Sequence, residues 1–152
     1  EPPDMTEPSR YWFHILKRSG PEARYHHAAR LAEKAWQEGD RVGLLCNNED
    51  DAQQLDDTLW SFRPDAFLPH EIITANDQTP STRVAALTCD PSPQDWDTLI
   101  VLSTRLPKAA EQFKRLALIA SNDDDSLQQA RNQYRQLKDL GVTPQVHDQR
   151  SG

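Results

Sequence analysis

The run Thr98–Ser103, TLIVLS, limits the fold more than any other stretch. It is apolar and β-branched without alternation, so as a strand it would be buried on both faces. Strands of that kind belong to sheets covered by helices on either side. Arg41–Cys46 (RVGLLC) reads the same way, and Tyr11–Leu16 (YWFHIL), Arg83–Cys89 (RVAALTC) and Arg115–Ala120 (RLALIA) are further strand candidates. Between Tyr11–Leu16 and Arg41–Cys46 lies a helical pattern, Glu22–Glu38, with Pro21 at its first turn and Gly39 at its end. Tyr25, Ala28, Ala32, Ala35 and Trp36 recur there at helical spacing and should face the sheet. A strand–helix–strand–helix opening followed by more strands predicts a single α/β domain, with helices layered on the sheet and right-handed crossovers between parallel neighbours.

The second helix starts after Asn47-Asn48, which offer a cap. Glu49, Asp50 and Asp51 follow where the helix dipole favours negative charge. Its inward stripe is Ala52, Leu55 and Leu59, and it should end near Trp60. Beyond it, Ile72-Ile73 suits a short extended piece, and Thr74–Thr82 reads as polar loop. Pro107–Phe113 suits one or two helical turns. A last helix is expected over Ser126–Leu140, stopped by Gly141, with a short edge strand over Pro144–His147. Residues 1–9 and 148–152 read as flexible ends around a domain spanning 10–147. Met5 is a candidate start that would leave Glu1–Asp4 outside the native chain.

Chemistry-bearing patterns are sparse. The first strand–helix turn, Lys17–Pro21, has one glycine, and no phosphate-binding loop occurs, so a nucleotide site would be fold analogy alone. Adjacent His26 and His27 point about 100° apart on a helix and read as a surface pair rather than shared metal ligands. Asp123–Asp125 suits dipole compensation better than cation binding. Ser103 and Ser126 lack a glycine elbow. Cys46 and Cys89 have no CxxC or histidine spacing and read as reduced, part-buried thiols of a cytoplasmic protein. No signal peptide or membrane-spanning run is visible. No enzyme, cofactor or metal is therefore expected. With 17 basic and 24 acidic residues the formal charge is −7. Phosphate backbones would repel the surface as a whole unless positive charge is concentrated locally, so direct DNA binding is not expected.

Two stretches look like contact surfaces. Gln54–His70 passes from helix into an aromatic loop fixed by Pro64 and Pro69. Trp60, Phe62, Phe67, Leu68, Pro69 and His70 crowd it. A loop this apolar either plugs the edge of the core or is offered to a partner, and the residues alone leave both open. On the last helix Leu127, Ala130, Tyr134 and Leu137 form the buried stripe, and Arg131, Arg135 and Lys138 share the neighbouring face. That face is either solvated or a seat for an acidic peptide with an apolar end, its carboxylates held by the arginines and its side chain received at Tyr134.

LDDTLWSF followed by DAFLPH resembles the signature of the chi subunit of bacterial DNA polymerase III holoenzyme, through Leu55, Asp56, Leu59, Trp60, Phe67, Pro69 and His70. Arg30–Trp36 with Gly39–Val42 is similar to that family's first helix and second strand. Asp125–Leu127 and Ala130–Arg135 are similar to its last helix. The likeness runs over about residues 11–147. It implies a Rossmann-like domain with a mixed, mostly parallel sheet, and a non-catalytic accessory subunit of the clamp-loader assembly. Two partners are implied: the psi subunit at the aromatic stretch, and the acidic, phenylalanine-ended tail of single-stranded DNA-binding protein at Arg131, Tyr134 and Arg135. The segment Leu127–Ala130 looks one residue shorter than the family pattern, with Leu127 or Gln128 where a lysine is common. That would weaken tail binding or shift it onto Lys138. An adaptor for a repair helicase using the same aromatic surface, and a degenerate nucleotide-binding enzyme, remain as other readings.

Overall fold

The computed structural model describes residues 10–61, 69–75 and 80–150. Its strands and helices follow in the order β1 (Tyr11–Ile15), α1 (Pro21–Gln37), β2 (Val42–Leu45), α2 (Glu49–Ser61), β3 (Glu71–Ile73), β4 (Val84–Leu87), β5 (Thr98–Val101), β6 (Arg115–Ala120), α3 (Asp124–Asp139) and β7 (Gln145–Asp148). The strands form one sheet in the order β3-β4-β2-β5-β6-β1-β7. Every pairing among the described residues is parallel. The mixed sheet that the resemblance implied is corrected to a parallel one. Its physical reason is visible in the sequence: β2, β4 and β5 are buried at every position, which helices or loops on both faces require.

Each face has its own core. On one side, α1 and α2 lay Tyr25, Ala28, Ala32, Ala52, Leu55 and Leu59 over Val42, Leu44, Ile100 and Ile119. On the other, α3 places Leu127, Ala130 and Leu137 over Phe13, Leu116 and Leu118, joined by Trp96, Ala110 and Phe113 from the connections. The expected stripes of α1 and α2 are those that are buried, with Trp36 half-buried against the first core. Asn48 is the cap of α2, its Oδ1 accepting from Asp51 N at 2.8 Å. Gly39 and Gly141 end α1 and α3 at φ 95° and 94°, the left-handed conformation that glycine adopts without strain.

The short turn expected over Pro107–Phe113 is a single 3-10 turn, Ala110–Gln112. Tyr11 Oη donates to Ala110 O and Phe113 O, both at 2.8 Å, and so ties this turn to β1. The expected C-terminal tail, 148–152, begins on residues that join the sheet. Asp148 belongs to β7, and Gln149 N donates to Ile15 O at 2.8 Å. Residues 1–9 and 151–152, the other expected ends, lie outside the described residues.

Candidate functional site

The fold carries its two candidate surfaces on different layers. The first lies at the C-terminal end of α2. Helical spacing turns Leu55 and Leu59 inward, which leaves Trp60 pointing outward. Trp60 is 60% exposed, the most exposed large apolar side chain among the described residues. It does not plug the core. Its ring meets that of His70 edge-on, with centroids 4.9 Å apart. The His70 side chain is almost fully covered, and Nε2 lies 3.1 Å from Asp56 Oδ1, one helical turn before Trp60. Asp56 thus lies beside His70, and the His70 ring packs against the indole. Pro69 faces a cleft of about 550 Å³ whose lining includes Trp36 and Trp96, and the Arg83 guanidinium sits 5.4 Å over the Trp36 ring. Phe62, Phe67 and Leu68 fall in 62–68, outside the described residues.

The second surface is α3, on the opposite layer. Arg131, Arg135 and Lys138 are all exposed on it. Tyr134 is half-buried and packs on Phe13 of β1 at 5.8 Å between centroids. Lys138 Nζ lies 5.8 Å from the Tyr134 ring. Arg135 is steadied by a 2.7 Å bond from Nη2 to Asn132 Oδ1. Register pairs Phe13 with Val146 of β7, so Val146 lies on the same sheet face as Phe13. Val146 is 48% exposed. The helix thus presents cations beside a tyrosine and an open apolar sheet edge, which suits an anionic group attached to an apolar one.

One core position on α3 escaped the hydrophobic pattern. Gln133 is buried, and its Nε2 donates to Ser103 O at 2.9 Å, fixing the helix to the loop after β5. A glutamine next to an apolar stripe carries no sequence signal of that role. Asp56 was quoted in the aromatic motif, but no local spacing announces its approach to His70, which lies outside α2.

The remaining candidates are occupied by structure. Asp123 Oδ2 accepts from Gly20 N at 2.9 Å and from Ser121 Oγ at 2.7 Å, bonds that hold its carboxyl below the usual carboxylate range. It thus puts the chain's own carboxylate on the first strand–helix turn, where a dinucleotide fold receives phosphate. Ser103 Oγ donates to Arg105 O, and Ser126 Oγ accepts from Ser121 N. Cys46 is buried and free, its thiol pushed up to about 12 by burial, and Cys89 is a half-buried free thiol raised for the same reason. Among the described residues no group of three histidine, cysteine or acidic side chains could hold a metal ion, and no helix is long and apolar enough to cross a membrane.

The sequence model of the DNA polymerase III chi subunit family, HolC, matches residues 9–145. This chain belongs to that family. It is 34% identical to DNA polymerase III subunit chi of Pseudomonas aeruginosa, over 91% of this chain and 96% of that protein. It is 29% identical to the subunit of the same name from Haemophilus influenzae, over 83% and 88% of the two chains. The Escherichia coli subunit chi is 27% identical over 73% and 76%. The helices α2 and α3 that carry the two surfaces of this chi-family chain lie inside the matched range.

Proposed function

We propose that this chi-family chain is a non-catalytic accessory subunit that joins two partners. Its Trp60 surface docks the psi subunit of the clamp-loader complex. The cationic face of α3 holds the acidic C-terminal tail of single-stranded DNA-binding protein. The exposure of Trp60 carries the reading. An indole 60% open to solvent, backed by an anchored histidine, resembles the aromatic anchors that dominate protein interfaces. The tail assignment rests on Arg131, Arg135 and Lys138 standing beside Tyr134 and the open edge at Val146. Because these cations are exposed, tail binding weakens as salt rises.

Titrating purified psi against wild type and Trp60→Ala tests the first surface. A desolvated aromatic anchor contributes at least about 2 kcal/mol, so the variant should bind about 30-fold more weakly. Unchanged affinity would place psi elsewhere. Loss of psi binding by a variant in α3 alone would also do so.

A further inference from the structure

The α1 side of the sheet is incompletely covered. α1 packs over β2, β5 and β6, while α3 packs on β1 and β6 from the other side. That leaves a groove of about 1010 Å³ beside α1, lined by residues of β1, β5, β6 and β7. Four aromatic rings gather there. Trp12 and His14 are two residues apart on β1 and therefore share a face. Their rings stack at 5.8 Å with only 18° between planes. His27 of α1 comes within 4.9 Å of His14, and His147, the register partner of His14 on β7, within 5.8 Å. Trp12 has small Ala117 beside it on β6 and exposed Gln145 on β7, and the indole is half-exposed.

Two polar atoms in this cluster lack partners. His14 is only 8% exposed and its Nδ1 is buried without a hydrogen bond, as is Nε2 of His27. Burial and the neighbouring imidazoles push His14 down to about 4. Burial and the Arg30 charge do the same to His27. Both rings therefore rest neutral, each with one nitrogen able to donate or accept. Around the groove stand Arg10, Arg30, Lys34 and Arg115, against Glu33 and Glu38. Arg115 is held by Asp40 at 2.6 Å, so Arg30 and Lys34, exposed on consecutive turns of α1, are the cations best placed at its mouth. The net charge of −7 disfavours phosphate over the whole surface, but this patch is locally positive.

We propose that this groove binds a short stretch of single-stranded nucleic acid. A base stacks against Trp12, beside the neutral rings of His14 and His27 that wall the groove. The adjoining phosphates lie against Arg30 and Lys34. Aromatic rings on an uncovered sheet face, flanked by cations, are how proteins hold unpaired bases with little sequence preference. This site lies on the layer opposite α3 and is independent of the tail surface.

The test is fluorescence anisotropy of a labelled oligothymidylate with the full chain at low salt. Variants Trp12→Ala, Trp12→Phe, Arg30→Glu and Arg135→Glu are compared. Wild type binds, and binding weakens steeply with salt. Trp12→Ala weakens it about fivefold or more, since stacking is worth about 1–3 kcal/mol per base, and Trp12→Phe restores most of the loss. Arg30→Glu, an exposed change that leaves the core intact, weakens it at least as much. Arg135→Glu, on the far layer, binds as wild type. Absence of oligonucleotide binding by the wild type overturns the proposal. So does wild-type affinity in both Trp12→Ala and Arg30→Glu, loss confined to Arg135→Glu, or an acidic peptide that needs Trp12 and Arg30 where the oligonucleotide does not bind.

Discussion

Acid should destabilise this protein well above the pH at which its carboxylates protonate, and His14 should account for a large share. His14 and His27 are lowered from 6.5 to about 4 in the folded chain, by burial first and by neighbouring charge second. A histidine whose folded pKa is depressed is protonated first in the unfolded chain. Its stabilising effect is therefore intact above about pH 6.5 and is lost as pH falls toward about 4. At about 1.4 kcal/mol per pKa unit, each imidazole accounts for about 3 kcal/mol over that whole window, and about 2 kcal/mol by about pH 5. The two rings repel one another when charged, so their effects overlap and the pair gives less than the sum. His14→Phe removes one titrating group and keeps a ring to stack on Trp12. Urea denaturation of both proteins at about pH 7.5 and about pH 5 checks this. Wild type should lose a few kcal/mol between the two, and His14→Phe should lose about 2 kcal/mol less. Equal losses in the two proteins, or a wild type whose stability is flat across the window, would refute the reasoning.

Other outcomes follow from the same coordinates. Trp60→Ala should leave unfolding stability within about 0.5 kcal/mol of wild type, because the indole is exposed, and urea denaturation checks it. Gly43→Ala should destabilise by about 1–3 kcal/mol: a Cβ there would stand 2.8 Å from Leu87 Cδ1 and 3.3 Å from the Trp96 ring, both buried. Gln133→Ala should lower the denaturation midpoint by stripping Ser103 O of its partner, at about 1–3 kcal/mol.

The core of this fold was legible because unalternating apolar runs have few alternatives. TLIVLS and RVGLLC fall on β5 and β2, adjacent in the middle of the sheet. The short edge pieces at Ile72-Ile73 and Pro144–His147 were readable only as extended chain, since their pairing depends on what the rest of the sheet leaves open. Trp60 could not be assigned to core or surface from sequence, because a helix end offers both directions. Its exposure is set by Leu55 and Leu59 taking the inward stripe. The histidine cluster was not legible at all. His26-His27 reads as a surface pair, and the structure corrects this for His27, whose Nε2 is buried. Its neighbours come from β1 and from β7, more than a hundred residues further along the chain, and no local spacing announces such a meeting.

The proposed arrangement is two partners on two separate layers of one domain. It is tested most directly by titrating a labelled acidic tail peptide, ending in phenylalanine, against wild type, Arg135→Ala, Arg135→Glu and Trp60→Ala. Arg135→Ala should weaken binding several-fold and Arg135→Glu about tenfold or more, since reversal adds repulsion to lost attraction. Trp60→Ala, on the opposite layer, should bind as wild type. Equal affinities across all four proteins, or a loss in Trp60→Ala that matches Arg135→Glu, would contradict it.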